Sequence, residues 1–296
     1  MKSKKRWNED SIFYLVVTIL VTLVFLSVLY PVIYVISASF SSPEAVTTGK
    51  VVLWPVDFSL KGYKAVLDNK EVWIGYRNTL FYTVLGTFLN VMLTLFAAYP
   101  LSRRDFVGRR YFLFFFTFTM LFGGGMIPTY IAMKNLRLLN TVWSIVLPGA
   151  VAVYNLMVAR AFIESNIPRE LLEATQMDGC SDFQYFRKFV LPLSKPVIAV
   201  ITLFYAVGHW NAYFNAFLYL DDRTLYPLQL FLREILINNK IDASLSIDPA
   251  FIEARQGMED LLKYSLIVVS TLPIMCFYPF IQKYFVKGVM IGSVKG

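Results

Sequence analysis

The densest group of polar and aromatic side chains in this sequence lies inside an apolar stretch near position 210. It consists of Tyr205, His209, Trp210, Asn211, Tyr213, Asn215 and Tyr219. Aromatic rings stack on the C–H face of a sugar while amides hydrogen-bond its hydroxyls, so these residue types predict carbohydrate contacts. Helix–helix packing with an interfacial aromatic belt accounts for them equally well. The i, i+3, i+7 spacing of Trp210, Tyr213 and Phe217 predicts one helical stripe.

Sequence motifs of common catalytic and cofactor sites do not occur in the chain. It has no Walker A sequence, so we expect no ATP site of its own. It also has no His-Glu-x-x-His, no Gly-x-Ser-x-Gly and no cysteine pair at metal spacing, and His209 is its single histidine. We therefore expect no catalytic residue, no metal site and no cofactor in this chain. His209 fits either a hydrogen-bonded packing role or a substrate contact, and Cys180 and Cys276 predict no disulfide.

The composition is typical of a membrane protein, with 57% hydrophobic and 16% charged residues, whereas soluble domains carry about 25% charged residues. Six windows contain no Asp, Glu, Lys or Arg: Ile12–Ser39, Asn78–Ser102, Tyr111–Met133, Leu138–Ala159, Pro196–Leu220 and Tyr264–Gln282. About 20 apolar residues span the hydrocarbon core of a bilayer. A buried core helix explains one such window but not six, so we predict an all-α membrane protein with six transmembrane helices.

The predicted organisation follows these windows. Residues 1–10 form a cytoplasmic N-terminus, 11–40 the first span, 41–77 an extracytoplasmic segment, 78–285 a transmembrane core and 286–296 a cytoplasmic tail. Within the core we expect spans at 78–102, 111–133, 138–159, 196–220 and 263–282, a cytoplasmic loop at 165–195 and an extracytoplasmic loop at 221–262. The Gly-Gly-Gly-Met-Ile-Pro sequence at 123–128 is expected to break or kink the third span.

The distribution of Lys and Arg predicts the orientation. These residues concentrate before the first span, between the second and third, between the fourth and fifth, and after the sixth. Both termini are therefore expected in the cytoplasm. Topology accounts for the net charge of +8, so no nucleic-acid partner is needed. The first apolar run is longer than the ~7–15 residues of a signal-peptide core, which argues against cleavage.

The six apolar windows contain no charged side chain. Carriers coupled to protons or sodium usually hold Asp, Glu, Lys or Arg within the membrane. The pattern therefore argues against a secondary transporter and fits energy delivered from outside the membrane, although a channel remains compatible with it.

The polar stretch after the fourth window reads as two short amphipathic helices joined at Gly179. Pro168 suits a helix start, and Glu170 and Glu173 lie near its positive end. Leu171, Ala174 and Thr175 are expected on one face of this helix. The sequence Ser181-Asp182-Phe183-Gln184 has the spacing of a capping box. The second helix is expected to place Phe183, Phe186, Phe189 and Val190 on one face and to stop at Leu191-Pro192, and an amphipathic loop lying on lipid headgroups is the alternative.

The pattern Glu173-Ala174-Thr175-x3-Gly179-x9-Phe189-x-Leu191-Pro192 closely resembles the EAA loop of permease subunits of ABC importers. That family has Glu-Ala-Ala, Gly and Ile-x-Leu-Pro at this spacing, so Thr175 and Phe189 are departures. The resemblance covers nearly the whole chain and narrows to the sugar-uptake branch typified by the maltose permease. The segments 127–130 and 138–141 and the tail 292–296 are also similar to that branch, while 208–215 and the Gly-Gly-Gly turn resemble a subgroup for oligosaccharides from complex polysaccharides.

The resemblance implies a MetI-like ABC importer permease fold whose loop docks on an ATPase. The residues implied for this coupling are Glu170, Glu173, Ala174, Asp178, Gly179, Phe183, Phe186, Leu191, Pro192, Lys295 and Gly296. Those implied for the translocation pathway are His209, Trp210, Asn211, Tyr213 and Asn215. The implied partners are a second permease subunit, two ATPase subunits that bind ATP and Mg, an extracytoplasmic solute-binding protein, membrane lipid and a sugar substrate. An ABC permease for another solute class or a membrane-embedded enzyme are the alternatives.

Overall fold

The structure is a computed structural model that describes residues 9–238 and 257–276. Regular structure in these residues is helical, without strands. The α-helices are α1 (Glu9–Ser39), α2 (Pro43–Thr47), α3 (Lys61–Asp68), α4 (Lys70–Ser102), α5 (Arg109–Leu121), α6 (Met126–Asn135), α7 (Trp143–Val146), α8 (Val153–Asn166), α9 (Arg169–Met177), α10 (Asp182–Tyr185), α11 (Leu191–Leu193), α12 (Lys195–Trp210), α13 (Phe214–Tyr219), α14 (Leu228–Asn238) and α15 (257–276). A π-helix covers Phe186–Val190 and a 3₁₀ turn covers Arg223–Leu225.

The chain divides into two compact units. One contains residues 1–70 and 232–271, and the other contains residues 71–231 and 272–296, as far as these are described. In the first unit α1 is exposed along most of its length and is tied down at its C-terminal end. There the Ser37 hydroxyl donates to the carbonyl of Leu53 at 2.6 Å, and the hydroxyls of Ser39 and Tyr63 lie 2.7 Å apart. These bonds satisfy hydroxyls that burial removes from water.

The second unit is organised around α4, a helix of 33 residues and thus about 50 Å long. Buried side chains of α4, α8, α12 and the π-helix form its main core, among them Leu95, Leu156 and Ile201. Within a bilayer such a core is held together by close packing, because lipid tails are as apolar as these side chains. The Tyr205 hydroxyl lies 2.7 Å from that of Thr94 and accepts from the backbone N–H of Ala152 at 3.0 Å. One hydroxyl therefore joins α12 to α4 and to the start of α8.

The helix α4 begins at Lys70, whereas the second span was predicted from position 78. Glu71 and Arg77 lie within its first turns. The difference arises because a charged side chain ends an apolar window without interrupting a helix. The charge-free window therefore predicts where the apolar segment begins, and the helix α4 that contains this segment begins earlier.

The windows predicted as the third and fourth spans are interrupted. Helices α5 and α6 are bent by 116° at the glycine turn, where Gly125 has a φ of +86° that favours glycine. The window 138–159 is not one helix, because α7 ends at Val146 and α8 begins only at Val153. Pro148 lacks the N–H that a continuous helix would use, and Gly149 follows it with a positive φ of +74°.

Two described helices are long and apolar enough to cross a bilayer, Asp10–Ser39 and Lys70–Ser102, and up to four crossings result if each bent helix pair is one span. The second bent pair is Asp182–Leu193 with Lys195–Trp210, which meet at 80°. The number of six spans therefore stays a prediction.

Candidate coupling and translocation sites

The helix α9 presents one polar face outward. Glu170, Glu173, Ala174 and Met177 are exposed, and the last of these is 88% exposed. The opposite face is centred on Leu172 and Thr175, and Thr175 is buried with its hydroxyl donating to the Leu172 carbonyl at 2.9 Å. Ala174 was expected to share the inner face with Leu171 and Thr175. It lies outside instead, because the buried face is rotated toward Leu172.

The joint after α9 is a Schellman motif. The N–H of Gly179 donates to the carbonyl of Gln176 at 3.0 Å, and the N–H of Cys180 donates to that of Thr175 at 2.9 Å. Gly179 has a φ of +73°, which costs little without a Cβ. Asp178 and Gly179 are both exposed at this joint. The predicted end of the helix at Gly179 is therefore present in the structure.

The second helix begins with the predicted capping box. The Gln184 N–H donates to the Ser181 hydroxyl at 3.3 Å, while the Ser181 N–H donates to Gln184 Oε1 at 3.2 Å. These reciprocal bonds satisfy two backbone donors at the start of α10. The exposed tip formed by Asp178, Gly179 and Ser181 thus lies between two helix ends that are each held by local hydrogen bonds.

The helix ends at Leu193, one residue after the predicted stop at Leu191-Pro192, and it includes a π-helix. The N–H of Leu191 donates to the carbonyl of Phe186, an i to i+5 bond. A wider turn of this kind leaves room for the proline ring and needs no N–H from Pro192. At Ser194 the direction changes by 80° into α12.

The aromatic residues of this second helix point in different directions. Phe183 is 64% exposed, whereas Phe186 is 4% exposed. The ring of Phe186 packs 5.3 Å from that of Tyr99 and 5.4 Å from that of Phe96. Of the expected single face, Phe186, Phe189 and Val190 do pack on one core, whereas Phe183 does not, because it lies in the first turn beside the exposed tip. Phe186 anchors the loop on α4, and Phe183 lies outside.

Charged side chains connect this loop to the end of α4. Arg103 is ion-paired with both Asp105 and Asp182 and donates to the Tyr99 hydroxyl at 3.1 Å. Hydrogen bonds to Asp105 raise the pKa of Arg103, and the same guanidinium lowers the pKa of Asp105. A pocket of about 440 Å³ beside these residues is lined in part by Arg169 and other side chains of α9.

A second charged group lies at the same end of the unit. The guanidinium of Arg109 donates to the Leu101 carbonyl at 2.9 Å and to Glu164 at 2.9 Å. Arg160 donates to the same carbonyl at 3.1 Å and to the other oxygen of Glu164 at 2.6 Å. The last turn of α4, the first turn of α5 and the middle of α8 are thereby joined.

The residues predicted to line the pathway do not share one surface. Helix α12 ends at Trp210, and α13 starts only at Phe214. Trp210 is buried with its ring 6.3 Å from that of Tyr76, while Tyr213 and Phe217 are exposed. The predicted stripe is therefore interrupted by the break at Asn211. Asn211 is exposed with its amide donating to the Val207 carbonyl at 2.9 Å, and Asn215 is half-buried.

His209 packs on α4. Its Nε2 lies 3.0 Å from the amide nitrogen of Asn90, and a Cβ on Gly86 would lie 2.4 Å from the same Nε2. Sequence reasoning missed the polar residues that surround this contact. The Thr83 and Thr87 hydroxyls and the Asn90 carbonyl oxygen are buried without a hydrogen-bond partner among the described residues. The recurrence of Thr and Asn at 79, 83, 87, 90 and 94 along one apolar helix was the available signal.

The two threonines also line a cavity of about 370 Å³ between α4 and α12, together with Thr202 and Ala206. Within the described residues no group of three or more His, Cys, Asp or Glu side chains could hold a metal ion. The predicted coupling residues Lys295 and Gly296 lie outside the described residues. The coupling and pathway assignments remain predictions at this point.

Residues 72–291 match the family described as the binding-protein-dependent transport system inner membrane component. The chain belongs to this family. It is 44% identical over 269 residues to the polygalacturonan/rhamnogalacturonan transport system permease protein YtcP of Bacillus subtilis (strain 168), a match that covers 90% of this chain and 92% of the relative. Protein LplC of the same organism is 41% identical over 266 residues, which cover 90% of this chain and 89% of that protein.

A solved structure of similar fold comes from a bacterial ABC transporter involved in the import of the acidic polysaccharide alginate. It matches with 37% identity and a TM-score of 0.85, over 96% of this chain and 100% of that chain. The fold of this binding-protein-dependent permease is therefore the all-helical MetI-like one. The chain is a transport permease rather than an enzyme, and the ATPase of such systems is a separate subunit.

Proposed function

We propose that this chain forms half of the translocation pathway of an ATP-driven importer for oligosaccharides. Its membership of the binding-protein-dependent permease family supports transport, and relatives named for polygalacturonan, rhamnogalacturonan and alginate support a saccharide substrate. The observation that carries the proposal is the outward face of α9 and α10, joined at Gly179. On this face, carboxylates and the apolar side chains of Met177 and Phe183 are exposed, while the loop itself is held on α4 by Phe186.

The coupling surface in this proposal consists of Glu170, Glu173, Ala174, Met177, Asp178 and Phe183. Met177 and Phe183 are exposed apolar side chains close to the joint, and exposed apolar groups beside charges are typical of a docking surface. Phe186 and Leu191 pack in the core beneath this surface and in this proposal do not contact the ATPase. The EAA resemblance and the exposed tip together favour docking over a loop that lies on lipid.

In the pathway we place the exposed Asn211 and Tyr213, whose amide and ring suit sugar hydroxyls and C–H faces. His209 and Trp210 then act behind them as packing residues, since both contact α4. Asn215 is retained as a pathway residue because it is half-buried at the start of α13.

The assembly we infer contains a second, similar permease, two ATPase subunits that bind ATP and Mg, and an extracytoplasmic solute-binding protein. The chain crosses the bacterial inner membrane six times with both termini in the cytoplasm. In this topology α5 with α6, and α7 with α8, each provide one interrupted crossing. The positive-inside distribution of Lys and Arg supports this orientation.

The test is uptake by the complete complex reconstituted in vesicles, with labelled neutral and uronate-containing oligosaccharides as separate substrates. Glu173→Lys reverses a charge at the proposed docking surface, so we expect uptake and the ATPase stimulation by loaded binding protein to fall together. Arg110→Glu is the matched control, because Arg110 is exposed on the same predicted membrane side but outside the loop. Wild-type uptake by the Glu173→Lys complex would rule out the docking surface, and the absence of saccharide uptake by the wild type would rule out the proposed substrate.

A further inference from the structure

Arg103, the first residue after α4, bonds two neighbours in sequence and one distant residue with a single guanidinium. Its Nε donates to Asp105 at 3.0 Å, and its Nη1 donates to Tyr99 Oη at 3.1 Å and to the Asp182 carboxylate. We infer that Arg103 is a positioning residue that fixes the start of α10 to the cytoplasmic end of α4, so that force on the coupling loop moves α4. This inference rests on the proposed coupling function.

The geometry of the contact holds one partner firmly. Exposed ion pairs generally contribute little, and Asp182 is 66% exposed, but the Arg103 side chain is only 15% exposed and is fixed by Tyr99 and Asp105 as well. Asp182 is the first residue of α10 and directly follows the capping residue Ser181. A shift of the exposed tip at Gly179 and Ser181 is therefore transmitted to Arg103 through a short, hydrogen-bonded segment.

Aromatic packing also holds the same helix on α4. The ring of Tyr99 lies 6.3 Å from that of Tyr185 and 5.3 Å from that of Phe186. Loss of the Arg103 contact therefore leaves the loop attached and folded. What it removes is the polar contact that fixes the position of Asp182 along the α4 axis, so the expected defect is in coupling and not in assembly.

The opposite end of α4 is fixed in a comparable way. The Asn78 amide donates to the carbonyls of Thr224 at 2.7 Å and Tyr226 at 3.0 Å, and the Tyr82 hydroxyl donates to that of Leu225 at 2.8 Å. The helix runs between these two sites without a break, with its only proline, Pro100, in the last turn. A displacement that reaches Arg103 is thus carried along one continuous helix to the segment 224–228.

A double-mutant cycle on the reconstituted complex tests the role of Arg103. We expect Arg103→Ala and Asp182→Ala each to reduce, by roughly tenfold, the ratio of ATPase activity with loaded binding protein to basal activity. The double variant should be no worse than either single variant, because both remove one interaction. Arg103→Lys should retain only part of the ATPase stimulation, since an ammonium group cannot reproduce the planar contacts of a guanidinium.

Asp105→Ala is the matched control. It removes the other carboxylate on the same guanidinium but leaves the link to α10, so stimulation should stay near the wild-type value. Additive effects of Arg103→Ala and Asp182→Ala on the stimulation ratio would overturn the inference. A defect of Asp105→Ala equal to that of Asp182→Ala would also overturn it. In either case, uptake by the wild-type complex would still support the proposed function. Loss of complex in a pull-down of Arg103→Ala would overturn the inference as well, because the role would then be structural. A wild-type complex without uptake is the separate outcome that refutes the proposed function.

Discussion

Arg109 and Arg160 lie on different helices and donate to the same carbonyl oxygen, that of Leu101 near the end of α4. The last carbonyls of a helix have no partner within it, and cationic side chains stabilise that end. Glu164 bonds both guanidinium groups and holds them side by side. Without this carboxylate, two like charges would face each other in a partly buried site.

The first prediction concerns this shared carbonyl. Arg160→Met should lower the free energy of unfolding by roughly 1–3 kcal/mol, because Glu164 and the Leu101 carbonyl each lose a charged donor. Thermal unfolding of the detergent-solubilised complex measures this. Arg110→Met is the control, as Arg110 is exposed one position from Arg109. Equal melting temperatures for the two variants would contradict the assigned role.

The second prediction concerns the close approach of α12 to α4. Gly86→Ala should destabilise the protein by roughly 1–3 kcal/mol, since its Cβ would lie 2.4 Å from the His209 ring. By helix propensity alone the same change would stabilise a helix. Gly208→Ala is the matched control, because no described heavy atom lies within 4 Å of that Cβ. The melting temperature of Gly86→Ala should be clearly lower than that of Gly208→Ala. The reverse order would exclude the packing described.

The third prediction concerns the joint at Gly179. Gly179→Ala should cost about 1 kcal/mol through its left-handed backbone conformation, although the added Cβ meets no described atom within 4 Å. Asn tolerates this conformation better than Ala, so Gly179→Asn should retain more of the ATPase stimulation by loaded binding protein. Identical stimulation ratios in the two variants would show that backbone conformation at the joint does not matter for coupling.

A fourth prediction separates packing from pathway residues. Trp210→Ala should reduce recovery of the assembled complex, because the ring is buried against Tyr76. Tyr213→Ala and Asn211→Ala should leave recovery unchanged and reduce oligosaccharide uptake, because both side chains are exposed. Uptake and pull-down are measured on the same preparations. Unchanged uptake in the latter two variants would remove them from the pathway of this subunit.

The fifth prediction addresses orientation. In a background that lacks Cys180 and Cys276, Ser181→Cys should react with a membrane-impermeant thiol reagent only from the cytoplasmic side. Lys64→Cys, at an exposed position in the predicted extracytoplasmic segment, should react only from outside. Labelling of intact cells and of inside-out vesicles distinguishes the two sides. External labelling at position 181 would overturn the proposed topology.

The parts of the site that depend on local hydrogen bonds could be predicted from the sequence. The Ser181 capping box and the Gly179 joint each involve a few neighbouring residues, and the types of these residues are typical of the geometry observed. The glycine turn at 123–125 belongs to the same class, because it follows from glycines close to a proline. The docking role proposed for the exposed tip comes from the family resemblance and not from these local patterns.

The rest depended on contacts between distant segments. The π-helix that begins at Phe186 follows from no spacing rule, and the packing of that ring on Tyr99 and Phe96 joins residues far apart in sequence. The link from Arg103 to Asp182 joins positions 79 residues apart, so charge alone could not identify the partner. The break at Asn211 was missed because apolar periodicity continues across it.

The oxygens of Thr83, Thr87 and Asn90 that have no partner among the described residues have a consequence for the space between α4 and α12. A buried acceptor or hydroxyl without a partner costs roughly 1–3 kcal/mol, and these three groups all lie on α4. Thr83 and Thr87 also line the cavity between α4 and α12, so these hydroxyls face the space between the two helices. A polar molecule that entered this cavity would therefore meet hydrogen-bonding groups on both helices, since Thr202 of α12 lines it as well.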